Sequence, residues 1–224
     1  MFKKAMIAGA VALASVGSYA ASANMTVIGT ISPEACAITL GSSGAVDFGT
    51  LPAGTVKAYS AYAGYYVMPA KNISLDVTCG APTAVSLSWA DNRSSSKPAI
   101  DGSDASRFGL GVNGSTNIGA YAVNYSALQV AATTAATPAA PAGALVRARN
   151  TTGAWTTATG DSASLFSGVN STGFKLAASD TAPPALAKIT GNLTINALVN
   201  KALVDSATSA ITLDGNSTVN VDYL

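Results

Sequence analysis

The residues with the most chemistry to offer are the two cysteines, Cys36 and Cys79. A thiol pair can bridge, hold a metal or cycle as a redox couple. A structural metal site takes about four N or S ligands, and the chain has no histidine and no third cysteine. Without histidine the commonest general base is also missing, so the many Ser and Thr hydroxyls have no partner to activate them. In an exported chain one disulfide is the simplest outcome. It would close a loop of about 43 residues, worth roughly 4 kcal/mol in the chain-entropy account. Oxygen ligands for calcium are offered by Asp91, Asp101 and Asp104, but their spacing is not that of an EF-hand, and solvated loop carboxylates are the plainer expectation. Tyr59, Tyr62, Tyr65 and Tyr66 fall close together. They offer aromatic faces for a sugar platform, although packing on a strand face is the commoner role. The Asn-x-Ser/Thr triplets follow from composition. No enzyme activity, metal or cofactor is expected.

The elements that must carry these groups read as short strands. Residues 36–40, 73–79 and 85–89 alternate apolar and polar side chains, the period of a half-buried strand. Gly80-Ala81-Pro82 reads as a turn between the last two, and Leu51-Pro52-Ala53-Gly54 as a break after a short piece at 46–49. Phe108-Gly109-Leu110-Gly111-Val112 reads as a glycine-rich strand with a bend or close approach. Further strands are expected over 118–130, 145–149, 174–177 and 189–199. Asp214-Gly215 between the alternating runs 211–213 and 218–224 is a hairpin signal. Residues 131–143, mostly Ala, Thr and Pro, read as an exposed insertion. Many short strands and no clear helix point to an all-β sandwich or barrel.

The first twenty residues have the pattern of a secretory signal: Lys3 and Lys4, an apolar run over 5–16, and small-residue cleavage sites after Ala20 or Ala23. The run is too short for a bilayer-spanning helix, which takes roughly 20 residues. Removing it leaves ten basic against eleven acidic residues, scattered along the chain. That balance offers no electrostatic footprint for nucleic acid or an anionic membrane surface. Between the signal and Cys36, Met25, Val27, Gly29 and Ile31 share one face of an extended run.

Several of these features together resemble the subunits of chaperone–usher fimbriae, type 1-like or β-fimbrial pilins. The resemblance lies in the export signal, the apolar run, Gly29 seven residues before Cys36, the strand ending in Cys79, and Tyr223 next to Leu224. It covers the two ends and the first third; the middle is similar only in texture. Members of that family carry a glycine about fourteen residues before their C-terminus, where this chain has Ser209-Ala210-Ile211.

The resemblance implies an immunoglobulin-like β-sandwich over 35–224, incomplete until a strand is donated to it. Residues 21–34 would be the extension that donates, with Met25, Val27, Gly29 and Ile31 entering a neighbour. Val219, Val221, Tyr223 and Leu224 would form the assembly strand. The implied partners are related pilus subunits, a periplasmic chaperone and an outer-membrane usher. The implied location is a fimbria at the cell surface that supports adhesion. Two other readings fit the residues: an outer-membrane β-barrel, and a secreted sugar-binding sandwich using the tyrosine cluster.

Overall fold

The computed structural model describes residues 25–30, 35–102, 104–158 and 169–224. The expected signal peptide, its cleavage sites and Ile31 lie outside the described residues. The chain divides into two units, Met1–Ser32 and Pro33–Leu224. Of the first, residues 25–30 have no regular secondary structure, and Met25, Val27 and Ile28 are exposed at 88, 85 and 88%. The strand expected over 25–31 is therefore not formed in its described part. An extended run without a ladder partner leaves its backbone groups to water.

The second unit is an all-β antiparallel sandwich. Its elements are β1 (Cys36–Leu40), α1 (Ala53–Lys57), β2 (Ala61–Tyr62), β3 (Tyr65–Val67), β4 (Lys71–Asp91), β5 (Arg107–Gly109), β6 (Val112–Asn113) and β7 (Thr116–Asn117). They continue with β8 (Gly119–Ala131), β9 (Gly143–Ala148), β10 (Thr156–Thr157), β11 (Asn170–Lys175), β12 (Ala185–Asn200), α2 (Lys201–Asp205) and β13 (Ser217–Tyr223). One layer runs β1, the first half of β4, β12, β8 and β5. The other runs β13, the second half of β4, β11, β9 and β10. Strand β4 thus serves both layers.

That continuity corrects the turn expected at Gly80-Ala81-Pro82. Pairing with β1 ends at Cys79 and pairing with β13 begins at Val85. On the β12 side the register shifts between Leu186 and Lys188, opposite this stretch of β4. The glycine and proline sit in that unpaired corner, where the N–H that Pro82 lacks removes no ladder bond. The strand bends from one layer into the other instead of reversing.

Inward-facing residues from both layers fill the interior. Phe108, Phe174, Leu75, Leu87, Ile118, Leu186 and Ile189 are fully buried. Trp89 stacks obliquely on Phe108 with ring centroids 6.1 Å apart, and Tyr125 meets Phe174 edge-on at 5.4 Å. The Trp89 indole N–H points at the Tyr125 hydroxyl, 3.4 Å away, so neither polar tip is stranded in the core. Gly109 is needed because a Cβ there would run into the Arg93 carbonyl. The close approach expected in that segment is therefore real, although the strand itself stops at Gly109.

Two short helices occur where no helix was expected, α1 at the break read at 51–54 and α2 directly after β12. In α2 the Asn200 side chain caps the Leu203 N–H at 3.3 Å, and Val56 of α1 and Val204 of α2 are buried against the end of the sandwich. The 131–143 insertion is largely a surface loop, but its base is fixed. Val130 and Ala139 exchange two backbone hydrogen bonds of 2.7 and 3.0 Å.

The Cys36–Cys79 disulfide forms, with the two residues directly opposite in the β1–β4 ladder and Cα atoms 3.9 Å apart. It pins the edge strand β1 at its first residue. Replacing Cys36 with Ala is expected to lower unfolding stability by about 2–5 kcal/mol in urea melts of the oxidised protein. An unchanged midpoint would show that the ladder alone holds β1.

Candidate functional site

The feature that stands out in the sandwich is a seam between its first and last strands. One wall is the stretch 36–51, which begins as β1 and continues past a tight turn at 41–44. The other is the stretch 207–223, which ends as β13. Among the described residues, 46–50 and 208–213 pair with no other backbone. Yet each aims alternate apolar side chains at the core: Val46 and Phe48 from one wall, Ile211 and Leu213 from the other. These are strand-like segments lacking a neighbour, with side chains already docked and main chains still open.

Two depressions lie along the seam. The larger, about 260 Å³, has Leu40 and Val46 on one side and Leu213 and Ser217 on the other, over a floor of Trp89 and Tyr121. The smaller, about 190 Å³, has Leu51 facing Ile211 above Val56 and Val204. Phe48 and Leu213 line both and stand between them. Burial is the main cause that pushes the Tyr121 hydroxyl up to about 12, so the floor of the larger depression stays uncharged at neutral pH. The walls run in opposite chain directions, since residues 45–46 share a depression with 215–217, and 49–53 share one with 207–211.

The two ends of the seam differ. At the disulfide end the Cys36 N–H donates to the Tyr223 hydroxyl at 2.7 Å. At the far end α1 and α2 are joined by polar contacts. Lys57 Nζ donates to the Asp205 carbonyl at 3.2 Å. Lys201 Nζ pairs with the Asp205 carboxylate at 2.6 Å and donates to the Tyr66 hydroxyl at 2.8 Å, which in turn donates to Asp205 at 2.8 Å.

The structure places the residues read from the sequence as follows. Val219 and Val221 face the core from β13 and are half-buried, while Tyr223 and Leu224 are about half exposed. The Leu224 N–H donates to the Ala84 carbonyl at 3.1 Å, extending the β13–β4 ladder by one bond. The hairpin expected at Asp214-Gly215 does not form, because β13 pairs with β4 and residues 211–213 pair with no strand among the described residues. Gly215 is there for space: a Cβ would lie 2.9 Å from the Tyr121 ring. Asp214 is held instead by Arg93 in a two-pronged contact at 2.9 Å.

Within the tyrosine cluster, Tyr62 lies opposite Tyr65 in the β2–β3 ladder. Tyr66 is buried and tied to Asp205 and Lys201, and the Tyr62 hydroxyl donates to Asp101 at 2.6 Å. Asp101 also takes the Arg107 guanidinium, and Asp91 accepts from the Arg93 and Gly109 N–H groups at 2.8 and 3.0 Å. Both carboxylates are engaged in structural bonds, and no cluster suited to a metal ion occurs among the described residues. No helix among them is long and apolar enough to cross a membrane.

Sequence reasoning missed the wall residues Phe48, Leu51, Ile211 and Leu213 as parts of one site. Their alternation was visible, but their shared lack of a partner was not.

The Asp205 carboxyl is held below the usual carboxylate range, first by the Lys201 hydrogen bond and then by Tyr66. Lys201 is raised, first by Asp205 and then by Tyr66. A depressed carboxylate contributes stability that is present above its ordinary range and lost as pH falls through its folded value. The raised lysine contributes stability that is present below its ordinary value and lost as pH rises through its folded one. Lys201→Ala should therefore move the Asp205 midpoint upward in an NMR side-chain titration. An unmoved midpoint would mean that the contact does not persist in solution.

A family model described as "Protein of unknown function (DUF1120)" matches residues 25–122, a stretch that takes in the first wall of the seam and β4. The chain is also similar along its whole length to Protein GltF of Escherichia coli (strain K12), at 27% identity over 257 aligned positions covering 100% of this chain and 99% of that protein.

Proposed function

We propose that the chain is a structural subunit of an extracellular fimbria, joined to its neighbours by strand donation after export. The observation that carries this reading is the seam. Two segments, 46–50 and 208–213, dock apolar side chains on the core while, among the described residues, their main chains pair with no other strand. A strand laid between them would complete both ladders at once, and its alternate side chains would enter the depressions on either side of Phe48 and Leu213.

The chain carries a suitable apolar run. Met25, Val27 and Ile28 expose large apolar side chains that a solitary folded protein would bury. Seating Met25, Val27 and Ile31 in a neighbour is worth roughly 5–9 kcal/mol before ordering costs. Gly29 would pass where bulk is not tolerated. Because the donating run and the receiving seam are different surfaces, the contact is head-to-tail. Repetition of such a contact gives a filament and not a closed ring.

On this reading the periplasmic chaperone holds the seam until a subunit replaces it, and the usher passes subunits to the surface. A packed sandwich interior counts against an outer-membrane barrel, and the ties of Tyr62 to Asp101 and of Tyr66 to Asp205 and Lys201 count against a free sugar platform there. Deleting residues 25–31 should leave a folded, chaperone-bound subunit that enters no fibre, read as loss of the heat-resistant ladder on unboiled gels. Normal ladders from the deletion would end the proposal.

A further inference from the structure

The seam poses a problem that the Tyr223 contact answers. A subunit holding both an apolar run and an open seam can in principle fill its own seam. Four residues separate Ile31 from Cys36, enough for a hairpin loop. Such a hairpin would lay the run along the outer edge of β1, entering the seam at the disulfide end.

That entrance is taken. Cys36 and Cys79 face each other at a Cα separation of 3.9 Å, the short spacing of a pair that exchanges no ladder bonds. The Cys36 N–H consequently points away from β4 into the seam. There it donates to the Tyr223 hydroxyl at 2.7 Å. A hairpin strand starting beside Cys36 would need that same N–H, which the Tyr223 hydroxyl already occupies. Tyr223 is itself anchored, since it lies opposite Val85 in the β13–β4 ladder and the next N–H, of Leu224, bonds to Ala84.

We infer that Tyr223 is a positioning residue that closes the disulfide end of the seam against the chain's own apolar run, keeping that run for a second copy. The inference rests on the proposed strand donation for its purpose, but the closure can be measured without it. A strand from another copy carries no four-residue tether to Cys36, so it can approach along the open length of the seam or from the α1–α2 end.

Y223F removes a single oxygen from a side chain that is 47% exposed, so the fold is expected to persist. Hydrogen exchange on the monomer is the first readout. In a chain lacking residues 25–31, Y223F should speed exchange at the Cys36 amide about fivefold, the loss of one hydrogen bond of about 1 kcal/mol. In the full mature chain, the amides of 25–31 should be unprotected in the wild-type monomer. In Y223F they should become protected within the monomer, with fewer subunits entering fibres.

Three results would overturn the inference: equal Cys36 exchange with and without the hydroxyl, a protected run in the wild-type monomer, or a run as exposed in Y223F as in wild type. If neither protein forms fibres, strand donation fails as a function, while the exchange pattern still decides whether Tyr223 closes the seam.

Discussion

Because β4 gives its first half to one sheet and its second half to the other, both layers hang on a single strand. Its corner at Gly80-Ala81-Pro82 fixes where the layers meet, and the disulfide and the Tyr223 hydroxyl both sit beside that corner. The strands on the same flank of β4, β1 in one layer and β13 in the other, are therefore tied together at one end only. Farther from the corner they diverge into segments that keep their apolar contacts but have no ladder between them. The seam is thus a geometric result of how β4 is shared.

Much of this was legible in the residues. Ile38, Leu75, Val77, Leu87 and Trp89 occur at period two, and period two is what a half-buried strand must show, so their strands emerged at nearly the right bounds. The cysteine pairing followed from having two thiols and no other ligand. The corner was misread because Gly-Ala-Pro has the composition of a reversal. Composition cannot tell a reversal from a bend that simply lacks pairing.

Residues 211–213 were misread for a related reason. Ile211 and Leu213 have the alternation of a paired strand, and Asp214-Gly215 has the dipeptide of a tight turn. Alternation reports which side chains are buried, however, and is silent on whether the main chain has a partner. Gly215 answers to the Tyr121 ring and not to turn geometry. The two short helices escaped notice because five residues carry too little periodicity to register. They are set by the burial of Val56 and Val204.

The paired backbone bonds between Val130 and Ala139 have a meaning for how this chain can vary. They staple the Ala-, Thr- and Pro-rich excursion at its neck, so β8 and β9 feel a fixed base whatever lies beyond it. Changes in length or composition at the tip are thereby insulated from the packing of both sheets. The exposed tip can change what it shows to its surroundings while both sheets keep their packing.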